Sequence, residues 1–193
     1  TDQLGTFSGE IERIAPPLET AIQKARLGMK ETGLLLGIAS EGSVGPDSVV
    51  PFIHSNIERL VLVDDEKGIV ITETHRSFDI TVATITAAPD QDLTSFLEKA
   101  DFPNHALIVR PNTQIKSNCI KGITNYEQLM GAIDISSQLS PNGFVVIESD
   151  LRAMHSPSRQ RNIEEVAKLL AKRVNQLCPN CQMPGWGRVG YKK

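Results

Sequence analysis

The residues of this chain best suited to chemistry stand in "VVIESDLRAMHSPSRQR", 145–161. Glu148 and Asp150 alternate where an apolar run ends, so on a strand both side chains point to one side of the sheet. Arg152, His155, Arg159 and Arg161 crowd around Ser156 and Pro157, which suit the N-cap and first position of a helix. The unpaired amides and positive dipole end of such a helix attract an anion, and the cationic side chains add charge-assisted donors. Acids for a metal and cations for a phosphate are the parts that phosphoryl transfer requires. The plain alternative is an exposed corner of surface ion pairs, each worth about 0–1 kcal/mol.

A second group lies in "GIASEGSVGPD", 37–47. A short buried strand, 34–40, runs into a loop in which Glu41 offers a hard oxygen suited to magnesium. Ser40 and Ser43 flank it as ligand-binding hydroxyls, and the glycines permit close backbone approach. Lys24, in "ETAIQKAR", sits at the edge of a helical apolar stripe, from which it snorkels or reaches the Glu41 loop. These assignments make Glu41 and Lys24 the candidate catalytic residues, with Glu41, Glu148 and Asp150 as magnesium ligands. Lys116 and Lys121 lie in a solvated loop that brings further positive charge. The other histidines, His54, His75 and His105, stand alone and read as structural.

"CPNC", 178–181, is half of a tetrahedral zinc site, which needs two more ligands. Neither Cys nor His occurs between Cys181 and Lys193, and Cys119 is the remaining cysteine. Cys178 and Cys181 are therefore a half-site, and zinc requires ligands this chain does not carry. The pair follows a helix instead of opening one, which speaks against thioredoxin-type redox chemistry.

These groups are positioned by helices and strands that alternate in type. Helices are expected over 16–33, 90–102, 124–139 and 156–177, with Gly33 stopping the first and Thr124 with Glu127 capping the third. Strands are expected over 34–40, on either side of a turn at Asp65–Gly68, over 79–87, 105–111 and 143–150. The fold class is α/β: a mixed sheet flanked by helices, residues 1–177, with a small cysteine-containing appendage, 178–193. With 193 residues, 40% hydrophobic and 22% charged, the chain can bury a core and is far from the disordered class. A net charge of −3 argues against general nucleic-acid binding. No apolar run approaches a membrane span, no signal peptide is visible, and three cysteines suit a reducing cytoplasm.

"TDQLGTFSGEIER", "LGIASEGSVGP", "IVRPN", "KGIT", "ESDLRAMHSPSR" and "LCPNCQMPGWG" together resemble a bacterial family catalogued only as a domain of unknown function. That resemblance implies a further N-terminal strand and loop, and a second C-x-x-C after the first, so the chain reads as truncated at both ends. A more distant resemblance is to inosine triphosphatase-like house-cleaning pyrophosphatases, which hydrolyse non-canonical nucleoside triphosphates with magnesium. "GTF" (5–7), "AIQKA" (21–25), "ASEGS" (39–43) and "HSPSR" (155–159) fall in the order of that family's motifs, with one acid in the acidic loop where the family has a pair. It implies that Lys24 touches phosphate, Glu41 holds magnesium, and His155 with Arg159 lies near the nucleotide. The function expected is a magnesium-dependent hydrolase or a binder of a phosphorylated small molecule such as a nucleotide. The alternative is a non-catalytic scaffold with a C-terminal zinc ribbon. Either leaves room for a homodimer.

Overall fold

The computed structural model describes residues 15–187; the "GTF" motif and the last six residues, 188–193, lie outside the described residues. By contacts the chain divides into two compact units, 15–78 with 161–187, and 79–160.

The first unit is built on a three-stranded antiparallel sheet, β1 (Leu36–Pro46), β2 (His54–Asp64) and β3 (Ile69–Ser77), in sequence order. One face carries Val61 and Val63, covered by Ala21, Ala25 and Met29 of helix α1 (Pro17–Thr32). Gly37 lets that helix close on β1: a Cβ there would stand 2.6 Å from the Met29 side chain. Gly33 ends α1 in the left-handed conformation at φ 68°, the stop its type anticipates. The alternate residues of the same strands, Leu60 and Ile71, pack against Val166 and Leu170 of helix α4 (Pro157–Val174).

The second unit is a four-stranded sheet in the order β4 (Thr84–Ala87), β7 (Val145–Ser149), β5 (Leu107–Pro111), β6 (Ile120–Ile123), every pair antiparallel. Leu107, Val109, Val145 and Ile147 pack against Phe96 and Leu97 of helix α2 (Thr94–Lys99) and Leu129, Ala132 and Ile133 of helix α3 (Tyr126–Leu139). The alternate residues Ile108, Arg110, Val146 and Glu148 point to the other face.

The alternation of helices and strands is α/β, as the sequence implies, while the strands divide between two sheets. Three local differences matter. β1 runs on through the stretch expected to be a loop, because β2 supplies ladder partners from Glu41↔Arg59 to Pro46↔His54. Pairing overrides the weak strand propensity of Gly42, Ser43 and Gly45. The cap of α3 is Asn125, whose side chain accepts from the Gln128 amide, while the Thr124 N–H donates to the Gln128 side chain. The strand β6 has no counterpart among the expected elements. No helix of the described residues is long and apolar enough to cross a membrane.

Candidate functional site

In the first unit Glu41 stands mid-strand, not in a loop. Its carboxylate is buried, and Lys24 Nζ of α1 lies 2.5 Å from Oε2. The helix brings Lys24 there because Ala21 and Ala25, on either side, pack on the sheet. Ser43 shares the face of Glu41, whereas Ser40, one residue before Glu41, projects to the opposite face. The predicted Ser40–Glu41–Ser43 cluster is thus divided by the pleat.

The corner at 148–161 is built differently from its sequence reading. Asp150 is 1% exposed and its two oxygens are occupied. Oδ1 accepts from the Arg152 amide at 3.1 Å and Arg152 Nε at 2.9 Å; Oδ2 accepts from Arg152 Nη2 at 2.6 Å and the Gly122 amide at 3.0 Å. Gly122 holds φ 72°, and a Cβ at this position would lie 3.1 Å from His155 Nε2, so glycine satisfies both backbone and space. A metal at Asp150 would have to displace Arg152. Arg159, read as a ligand-binding cation, is buried and donates from Nη1 to the Leu151 carbonyl at 2.6 Å. It braces the loop that carries Asp150 and Arg152.

The helix start is also filled from within. α4 begins at Pro157, and the buried Ser156 accepts the Gln160 amide on its carbonyl. The Ser158 amide, which an anion would use, donates instead to His105 Nε2 at 3.2 Å. Accepting there places the ring proton on Nδ1, which lies 2.8 Å from Asp101 Oδ2. Ser158 Oγ is 3.0 Å from the same Nε2 and accepts the Thr81 amide. The order serine, histidine, aspartate resembles a nucleophile with its base and orienter. Ser158 is nevertheless fully buried, so the arrangement locks a helix start and presents no reachable nucleophile. His105 was legible only as an isolated histidine; its i, i+4 spacing from Asp101 was the available signal.

Glu148 has a different environment. It sits on the central strand β7 between Thr84 and Ile108 in register. Arg110 Nε and Lys116 Nζ each lie 3.7 Å from its Oε1, beyond hydrogen-bond length. Arg110 is 12% exposed, and its Nε is buried with no hydrogen-bond partner. Glu148 is 20% and Lys116 39% exposed, so this cluster is open to solvent at one end. Sequence reasoning passed over Arg110, although a lone arginine within the apolar strand "LIVRP" is the sign of a charge with a task.

Cys178 is half-buried, Cys181 is exposed, and both are free thiols in the first unit. Among the described residues no group of three or more His, Cys, Asp or Glu is arranged to hold a metal ion.

Residues 24–193 match the model of the family described as Domain of unknown function (DUF6671). No curated protein and no solved structure matches the chain.

Proposed function

The chain belongs to this family of unknown function, and on that premise we propose that its 79–160 unit binds a phosphorylated small molecule, nucleotides among them, at the Arg110–Lys116–Glu148 face. The observation that carries the reading is the charge imbalance there: two cations share one carboxylate oxygen at 3.7 Å, and a buried guanidinium nitrogen lacks an acceptor. Buried polar groups are normally paired, and an unpaired arginine donor is satisfied best by an oxyanion. A phosphate oxygen would complete Arg110 and take the charge that Glu148 only half neutralises.

Magnesium fits this corner poorly. Asp150 has no vacant oxygen, and Glu148 already faces two cations. Binding at this face needs no magnesium on these carboxylates, and the ion would arrive on the phosphates of the ligand. The hydrolytic extension, with Glu41 and Lys24 as catalytic residues, rests on sequence order. Their ion pair is closed and its carboxylate buried, so catalysis would have to open it. Phosphate release from nucleoside triphosphates, compared between the parent chain and Glu41→Gln, checks that extension.

Calorimetric titration with inorganic phosphate, pyrophosphate and nucleoside triphosphates, each with and without magnesium, tests the binding reading. At least one of these ligands should bind, and Arg110→Met should weaken it by about 1.5–3 kcal/mol, the range for hydrogen bonds to charged groups. Lys168→Met, at an exposed ion pair of α4, serves as the control. Silence across the panel, or an Arg110→Met chain that binds as well as its parent, ends the proposal.

A further inference from the structure

The three-stranded sheet of the first unit has two edges, and the sequence guards them unequally. β3 carries Glu73, His75 and Arg76, charges of the kind that keep an edge strand from pairing with another chain. β1 carries "LGIAS" over 36–40, preceded by Leu34 and Leu35, with neither charge nor proline. Its register with β2 is unbroken from Leu36↔Asp64 to Pro46↔His54, so no bulge turns this edge aside.

The backbone of β1 faces away from the sheet at alternate residues. The Asp65 amide donates to the Leu35 carbonyl, and at the other end of the ladder the Asp47 amide donates to the Ile53 carbonyl, both at 2.9 Å. Antiparallel pairs alternate between bonded and non-bonded, so the odd-numbered residues of β1 bond to β2. Leu36, Ile38 and Ser40 therefore direct N–H and C=O outward. Among the described residues no strand other than β2 pairs with this stretch. Their side chains share the face of Leu60 and Leu62, where α4 covers β2 and β3 and stops short of β1. An apolar groove is left there, lined by Ile38, Leu60, Leu62, Leu170 and Val174. Leu36 remains 53% and Ile38 60% exposed.

We propose that the 36–40 edge of β1 is a homodimer interface, taken by the same segment of a second copy in antiparallel register about a two-fold axis at Ile38. The segment is its own complement: Ile38 meets its equivalent, and Leu36 of each copy lies opposite Ser40 of the other. Glu41, the nearest charge, falls opposite Leu35, so no like charges oppose across the axis. The helices fit as well. α1 rests on Ala39 of β1 and on Val61 and Val63 of β2. With strands about 4.8 Å apart, the two α1 helices run about 10 Å apart, close to the spacing of packed helices. Leu27 is exposed in the single chain. It stands three residues after Lys24, which reaches Glu41 of β1, and so lies on the flank that meets the second copy.

Sedimentation of the 193-residue chain over a concentration series, with amide hydrogen exchange at each concentration, tests the interface. A reversible dimer is expected, with exchange at Leu36, Ile38 and Ser40 slowing as it forms. Ile38→Pro removes an outward N–H and leaves the β2 ladder intact. It should weaken the dimer at least about tenfold, as for loss of one hydrogen bond in each copy. Ile38→Lys sets a charge against its own image and should do the same. Val70→Lys, at an exposed residue of β3, is the control and should dimerise as the parent does. Circular dichroism checks that each variant keeps the fold, and Ile38→Lys decides where the proline variant does not. A chain that stays monomeric throughout the series overturns the proposal, as does a dimer that persists in the folded Ile38 variants. Protection at 36–40 that does not vary with concentration also overturns it, because the edge is then taken within one chain.

Discussion

Glu148 and Asp150 stand two residues apart, and the structure treats them oppositely. Asp150 is closed in by five hydrogen bonds from Arg152 and the Gly122 amide, and belongs to the architecture. Glu148 is approached by two cations, neither at hydrogen-bond distance, and remains partly open. The difference teaches that a charged residue type says little about function until its partners are counted. Saturation marks a structural carboxylate; incomplete pairing around a buried cation marks a place where a ligand is wanted.

The largest effect expected from this contrast is on stability. Asp150→Ala strips the part-exposed Arg152 guanidinium of its acceptor and leaves the Gly122 amide unpaired. It should cost about 2–3 kcal/mol in urea unfolding, the upper part of the range for leaving hydrogen-bond donors without their acceptor. A loss below about 1 kcal/mol would place Asp150 with the surface ion pairs and dissolve the comparison.

Asp47 is the saturated carboxylate of the first unit, and pH probes it. The Arg76 guanidinium bonds to both its oxygens, and the Val50 and Val49 amides and the Ser55 hydroxyl add to this, holding the carboxyl well below its usual range. A lowered folded pKa stabilises the protein above the unfolded value of about 3.9 and loses that stabilisation as pH falls through the folded value. The stability gap between the parent chain and Asp47→Asn should therefore be constant near neutrality and close progressively below about pH 4. A gap that stays constant to the acid limit of folding would show that Asp47 acts through shape alone.

His105 gives a smaller effect of the same kind. Replacing it with Ala removes the acceptor of the Ser158 amide, and an unsatisfied buried donor costs about 1–3 kcal/mol. Hydrogen exchange should show the loss concentrated in the first turn of α4. Covalent labelling of Ser158 by a serine-directed phosphonate would contradict the reading of this arrangement as a buried lock.

Much of the scaffold was legible because its signals are local. Asp65–Gly68 turns β2 into β3, Gly33 stops α1, and Pro157 opens α4, each by chemistry within a few residues. The site was less legible because its determinants are pairings. Glu41 reads as a loop residue in the sequence, since nothing in Gly42-Ser43 discloses that Glu58 and Ile57 will pair with them. Arg110 reaches Glu148 only through the β5–β7 register, and His105 meets Ser158 across 53 residues. Arg159 and Asp150 carry the right charges for a ligand site, yet both are consumed by neighbours that no spacing rule identifies.

Glu148→Gln should have the smallest effect on the fold and is the sharpest test of the contrast. The substitution keeps the size of the side chain and removes its charge. Because Glu148 makes no close hydrogen bond to either cation, stability should change by no more than about 0–1 kcal/mol. Phosphate binding should move the other way from most site mutations. With the carboxylate gone, Arg110 and Lys116 carry their full positive charge toward a ligand, and an anion no longer meets a like charge beside them. Pyrophosphate affinity should rise by about tenfold, or roughly 1.4 kcal/mol, and its dependence on salt should steepen. The two acids would then separate cleanly in one pair of measurements: Asp150 governs unfolding, and Glu148 governs the ligand. An unchanged or weakened pyrophosphate affinity in Glu148→Gln would mean that the carboxylate itself contacts the ligand or orients Arg110, and the charge imbalance would lose its place as the cause of binding.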